Sequence, residues 1–145
     1  MTTTDIDDEV AAMLAKAEQR YTTGRRRLVT ALREGGRPLT IGQIGELAKD
    51  LPQSSVYRNL TILEEVGAVT RIVTSDEFAR YELAEHLTGH HHHLICTSCG
   101  DVADFELDHA TEHTLDAALH KAAKAAGFQV GEHRLDLLGT CTNCT

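Results

Sequence analysis

Apolar side chains at Ile6, Val10, Met13, Leu14 and Ala17 recur at helical spacing, and Leu28, Val29, Ala31 and Leu32 repeat the pattern one segment later. Gly35-Gly36, followed by Pro38, stops this second helix. Thr40 with Gln43 is a capping-box signature, after which Ile41, Ile44, Leu47 and Ala48 face a core. Leu51-Pro52 ends the third helix. Ser54 or Ser55 is the natural N-cap of a fourth, which carries Val56, Leu60, Leu63 and Val66 and closes at Gly67. Two β-prone runs follow, 68–74 and 79–83, with 74–77 as the turn between them. Helices followed by a hairpin describe a winged helix-turn-helix.

Beyond that hairpin the pattern changes. Residues 90–96 read as a strand, a second strand ends at 105–107, and 109–126 form a helix with Leu115, Ala118, Leu119, Ala122 and Ala126 on its core face. Gly127 stops the helix, and 128–138 alternate as a final strand. The pattern predicts an α+β protein with a winged-helix domain over 1–83, a hinge over 84–89 and a ββαβ domain over 90–145.

The 145 residues suit one domain or two small ones, and a chain of this size needs no disulfide scaffold. No apolar run spans a bilayer, and the acidic N-terminus MTTTDIDDEV does not resemble a signal peptide, which points to a cytoplasmic address. The net charge of −8 argues at first against nucleic acid, but the charges are unevenly placed. Residues 16–37 carry Lys16, Arg20, Arg25, Arg26, Arg27, Arg33 and Arg37 against only Glu18 and Glu34. Such a stripe can bind phosphates on an otherwise acidic chain. All the histidines and cysteines lie between His86 and Cys144.

The fourth helix begins SSVYRN, and helix-turn-helix proteins set the N-terminal residues of that helix against base edges. Ser54 and Ser55 suit phosphate, Tyr57 suits a thymine methyl, and Arg58 suits phosphate or guanine. The plainer alternative is a half-buried Tyr57 and an Arg58 in a surface ion pair.

Cys96-Thr-Ser-Cys99 and Cys141-Thr-Asn-Cys144 are two CxxC knuckles. Together they can deliver four thiolates to one tetrahedral zinc, and they are too far apart for a compact ribbon, so a domain folds between them. Disulfides or a redox pair are the competing use of such cysteines. The internal run His90-His91-His92-His93 would send alternate imidazoles to opposite faces of a strand, so one run can serve two metal sites. His109, Glu112, His113, Asp116, His120 and His133 are available partners. HExxH, the deaminase HxE…PCxxC pattern, a nucleophile motif and a Gly-rich phosphate loop are all missing, so an enzyme with a small-molecule substrate is not expected.

SSVYRNLTILEEVGAV, RYEL, HHHHLICTSCGDVADF, a late histidine and CTNC, in that order, resemble the ferric uptake regulator (Fur) superfamily over about residues 16–144. The resemblance implies a homodimeric, metal-dependent repressor, with an N-terminal winged helix and a C-terminal α/β dimerisation domain, closing on palindromic operator DNA. It also implies that Cys96, Cys99, Cys141 and Cys144 hold structural zinc. By position, Glu82, His91, His93 and Asp104 match a hinge sensor site. His90, His92, Asp116 and His133 match an additional site, with Asp116 where relatives commonly have glutamate. Arg20, Arg25, Tyr57 and Arg58 match the DNA-contacting positions. A metal buffer or chaperone without operator recognition is the alternative function.

Two departures from the family pattern stand out. Residues 1–85 contain no histidine, so the extra ligand of iron and peroxide sensors is missing, and Ala84 occupies the place of a hinge cysteine used by zinc sensors. Asp76, Glu77, Glu85 or His86 are the candidates to complete the sensor site. Imidazoles and carboxylates suit zinc, iron(II), manganese, cobalt or nickel; zinc or iron(II) is the expected corepressor, with manganese or nickel as alternatives.

Overall fold

A computed structural model describes residues 2–74 and 78–145 of the chain. The turn expected over 74–77, and with it Asp76 and Glu77 as candidate ligands, falls largely outside the described residues. The architecture is α+β. Helix α1 (Thr3–Lys16) opens with a capping box between Thr2 and Asp5. Helix α2 (Thr23–Gly35) starts with Arg25 N–H donating to the Thr22 hydroxyl, and it ends at Gly36, whose φ of 64° is left-handed. A two-residue strand β1 (Leu39–Thr40) leads into α3 (Ile41–Leu47), where Thr40 and Gln43 form the expected capping box. Helix α4 (Gln53–Glu65) begins earlier than expected. Pro52, not Ser54 or Ser55, stands at its cap and makes no side-chain capping bond, because its ring carries no hydrogen-bonding atom.

Strands β2 (Val69–Val73) and β3 (Ala79–Leu83) form the hairpin, and β1 pairs antiparallel with β3, giving the order β1-β3-β2. The sequence pattern did not reveal β1; two residues are too few to show alternation. The core beneath this sheet gathers Val10 and Leu14 of α1, Leu28 and Leu32 of α2, Ile44 of α3, and Val56, Leu60 and Leu63 of α4. Tyr81 and Leu83 close it from β3. The stretch expected as a hinge contains a short helix, α5 (Glu85–Thr88), whose Leu87 packs into the same core.

The second sheet has the order β5-β4-β6, built from β4 (His92–Cys96), β5 (Val102–Phe105) and β6 (Asp136–Gly139). β4 runs antiparallel to β5 and parallel to β6. Helix α6 (His109–Ala125), capped by Asp108 through Thr111 N–H, lies between β5 and β6 in the chain. Two expectations fail here. Residues 128–135 are irregular, because β4 starts at His92 and its register with β6 opens at His93 and Asp136, leaving the earlier residues no strand to pair with. No residue of α6 is buried, so its apolar stripe is not a core face within this chain. Leu94, Leu119, Leu137, Leu138 and Phe128 are likewise exposed.

Candidate metal centres and nucleic-acid interface

The first cluster sits where the CxxC turn after β4 meets the chain end after β6. Cys99 Sγ and Cys141 Sγ lie 3.8 Å apart, far beyond a disulfide bond of about 2.05 Å. A tetrahedron with zinc–sulfur arms of about 2.3 Å has edges of about 3.8 Å. All four sulfurs lie within 4.8 Å of one another. The turn is tight: Gly100 N–H donates to the Cys96 carbonyl at 2.9 Å, with Gly100 at φ 77°. Backbone N–H groups, first that of Cys141 at 3.4 Å, pull the Cys96 thiol down to about 6. Hydrogen bonding with Cys141, then Cys99 and Cys96, pushes the Cys144 thiol up to about 12. Four crowded thiols resist ionising together unless a dication neutralises them, so the donor set fits zinc.

The second cluster is Glu82 of β3, His91, His93 of β4 and Asp104 of β5. His93 Nε2 lies 2.7 Å and His91 Nε2 3.1 Å from the two oxygens of Glu82, while Asp104 Oδ1 is 3.6 and 3.8 Å from the same nitrogens. Asp104 Oδ1 is buried without a hydrogen-bond partner among the described residues. Burial, then the charge of Glu82, raises the Asp104 carboxyl to about 6 despite both imidazoles. Burial opposes charge on His91 and His93 too, but Gly89 and Glu82 respectively, with Asp104 and Asp136, outweigh it and raise both. An orphaned carboxylate oxygen facing two imidazoles and a second carboxylate fits a divalent cation. A cavity of about 250 Å³, lined in part by Arg33, Arg37, Glu82, His91, Asp104 and Glu106, opens onto it.

The third cluster joins His90, His92, Glu112 and His133. Glu112 lies 2.7 Å from His92 Nε2, 2.8 Å from His90 Nε2 and 2.9 Å from His133 Nε2. Here the geometry corrects the expectation of Asp116. Its shorter arm, one helical turn further on, reaches within this cluster only the outer nitrogen of His133, Nδ1, at 3.2 Å, and outside it His120 Nδ1 at 3.3 Å. Glu112 was visible as a partner in the sequence, but only the rotation of α6 against the loop carrying His133 selects it. Its bond from His92, the first of several imidazole contacts, lowers its carboxyl.

The histidine run alternates as a strand must: His91 and His93 serve one cluster, His90 and His92 the other. The outer nitrogens of three of them are held from behind, whereas His92 Nδ1 is buried without a partner among the described residues. His91 Nδ1 is 3.0 Å from the Gly89 carbonyl, His93 Nδ1 3.3 Å from Asp136, and His90 Nδ1 2.9 Å from Glu85. An acceptor at Nδ1 fixes the tautomer that leaves Nε2 as a metal donor. Glu85 therefore stands behind His90 instead of completing the sensor cluster, and His86 turns away to Met13 Sδ at 3.4 Å.

On the helical side, Tyr57 is 58% exposed at the start of α4, and Arg58, Ser54 and Ser55 share that turn. The guanidinium groups of Arg20 and Arg58 have no partner among the described residues, whereas much of the basic stripe is engaged internally. Arg26 bonds Asp7 at 3.1 Å, Arg27 bonds Asp50 at 2.7 Å, and Arg37 bonds Asp101 at 2.9 Å. Arg33 bonds Thr3, and Arg25 bonds Asn59, Gln19 and the Arg20 carbonyl.

The profile of the ferric uptake regulator family matches residues 16–138. The chain belongs to the ferric uptake regulator family. Within it, this chain is 29% identical over 141 residues to the peroxide-responsive repressor PerR of Staphylococcus epidermidis, covering 94% of this chain and 89% of that one. The peroxide operon regulator of Bacillus subtilis is 34% identical over 92 residues, covering 63% of this chain and 58% of that relative. The solved ferric uptake regulator of Helicobacter pylori, described as having three functional metal binding sites, superposes with a TM-score of 0.76 at 26% identity, over 99% of this chain and 94% of that one. The chain is thus a Fur-family regulator with one four-cysteine cluster and two His/carboxylate clusters. No helix among the described residues is long and apolar enough to cross a membrane.

Proposed function

We propose that the protein is a metal-dependent, sequence-specific transcriptional repressor that acts as a homodimer on palindromic operator DNA in the cytoplasm, and is not an enzyme. In this reading residues 1–83 are the DNA-binding domain, 84–89 the hinge and 90–145 the dimerisation domain. The observation that carries it is Glu82. This residue belongs to wing strand β3, yet its two oxygens face His91 and His93, which lead into the second sheet. A divalent cation bound there supplies the positive charge that lets Glu82 and Asp104 stay ionised side by side. Glu82 then anchors the wing to β4 and β5, and the orientation of α4 relative to a dimer axis becomes fixed. Metal favours that arrangement only by its differential affinity for it.

Cys96, Cys99, Cys141 and Cys144 hold structural zinc, stapling the chain end to β4. His90, His92, Glu112 and His133 form an additional site, with Asp116 orienting His133. The open apolar surface of α6, Leu94, Leu137 and Leu138 supports pairing with a second copy, since exposed apolar patches of this kind mark interfaces. Tyr57, Arg58, Ser54 and Ser55 read the DNA, with Arg20 beside them. Zinc or iron(II) is the corepressor, and controlling metal-homeostasis genes is the corresponding role; manganese and nickel remain compatible with the donors. The identity to named peroxide regulators supports a variant in which an iron-loaded site also responds to peroxide, against which stands the absence of any histidine in residues 1–85. Its mark is loss of DNA binding after peroxide treatment of iron-loaded but not manganese-loaded protein.

His91→Ala tests the assignment. It should abolish metal-activated DNA binding and leave the dimer intact in sedimentation. Loss of the dimer instead would make His91 a structural residue, and unchanged activation would remove this cluster from the sensor role.

A further inference from the structure

Arg25, the third residue of α2, reaches across two neighbouring segments. Its Nε donates to Asn59 Oδ1 at 3.1 Å, and its Nη1 donates to Gln19 Oε1 at 3.2 Å and to the Arg20 carbonyl at 2.7 Å. Three of the five guanidinium N–H groups are thereby directed inward. Asn59 follows Tyr57 and Arg58 on α4, so one bond places the turn that carries both. The other two bonds hold the segment between α1 and α2, one by the Gln19 side chain and one by the backbone of Arg20 itself. The two helices are in van der Waals contact here: a Cβ added at Gly24 would lie 3.6 Å from Asn59 Nδ2.

Resting on the DNA-reading role proposed above, we infer that Arg25 is a positioning residue and not a phosphate contact. Its planar fork sets the spacing between Arg20 on one side and Tyr57–Arg58 on the other, so that both exposed guanidinium groups reach DNA already arranged. Preorganisation of this kind raises affinity by removing an ordering cost. A lysine carries the same charge but lacks the rigid fork that spans acceptors on two segments.

The test uses full-length, metal-loaded protein and a selected palindromic duplex across a salt series, with R25K, R25Q, N59A and the R25Q/N59A pair. N59A, which changes no charge, should weaken binding several-fold. R25K and R25Q should each weaken it about ten-fold, the scale of charge-assisted hydrogen bonds. The double variant should be no weaker than R25Q, and the slope of log affinity against log salt should match the parent throughout. If R25Q lowers that slope by about 0.9, the value for one lost phosphate contact, while R25K and N59A bind like the parent, the inference is overturned. Hydrogen–deuterium exchange without DNA judges the clamp separately. R25Q should speed exchange over 17–22 and 53–60 but not over 92–105, and unchanged exchange would overturn the clamp whatever the DNA result. A parent protein that binds no duplex would contradict the proposed function, and the exchange data would still decide the role of Arg25.

Discussion

Asp104→Asn should stabilise the protein stripped of sensor metal while weakening its hold on that metal. Asp104 faces the carboxylate of Glu82 in a half-buried site, and its own carboxyl is raised from 3.8 to about 6 by burial first and that charge second. At about 1.4 kcal/mol per pH unit the difference corresponds to about 3 kcal/mol. The side chain is 27% exposed, so solvent screening reduces the effect to about 1–2 kcal/mol. The sign follows from linkage. Below pH 3.8 the carboxyl is protonated in folded and unfolded chains alike. Between 3.8 and about 6 the folded state retains a proton that the unfolded state has lost, so stability falls as pH rises, and above about 6 the full penalty applies. Asparagine removes it. Thermal melts at pH 7.5, after chelation that leaves the thiolate zinc in place, should show the variant melting about 3–6 °C higher. That gain should vanish as pH falls toward 3.8. Metal titration should show the opposite ranking, because a charged ligand is gone. A variant that melts no higher than the parent after chelation, or that binds metal as tightly, refutes the reasoning.

The other predictions concern separate parts of the molecule. Glu112→Ala should eliminate the metal equivalent held with His90, His92 and His133, whereas Asp116→Ala should weaken it only about 10- to 100-fold, as expected for an outer partner of His133; metal stoichiometry by mass spectrometry separates them. Cys141→Ser should release zinc and unfold the second sheet, since structural zinc energy is folding energy; a metal-free variant with unchanged circular dichroism would contradict the staple. Arg58→Ala should weaken operator binding by about 1–3 kcal/mol and relax preference at one base position, read by competition with substituted duplexes. Affinity for the sensor metal should rise with pH through about 6 and beyond, because Asp104, His91 and His93 must all shed protons that the metal-free site holds more tightly than usual; proton release on binding measures it.

The sequence revealed most where chemistry depends on local spacing. The Thr40–Gln43 cap, the CxxC knuckles and the two-faced histidine run each follow from a short-range rule, and the structure displays all three. What it concealed depends on long-range placement. Leu39–Thr40 becomes a strand only because β3 lies beside it. Glu112 outranks Asp116 through the rotation of α6, which no spacing along the chain discloses. The apolar stripe of α6 finds no cover among the described residues, and a helix pattern is the same whether its cover would come from its own sheet or from another copy. The run of arginines read as one basic surface, yet Arg26, Arg27 and Arg37 each face an acid brought up from a distant segment.

The central claim is that metal at Glu82, His91, His93 and Asp104 governs DNA binding. Its most direct test is fluorescence anisotropy of a selected palindromic duplex, with protein retaining its thiolate zinc but stripped of sensor metal. Zinc, iron(II) and manganese are titrated anaerobically into the mixture. The account predicts a large gain in DNA affinity with one of these metals at a cell-plausible free concentration, and no gain with Glu82→Gln protein. Equal DNA affinity with and without every metal, or the same gain in the Glu82 variant, would contradict it.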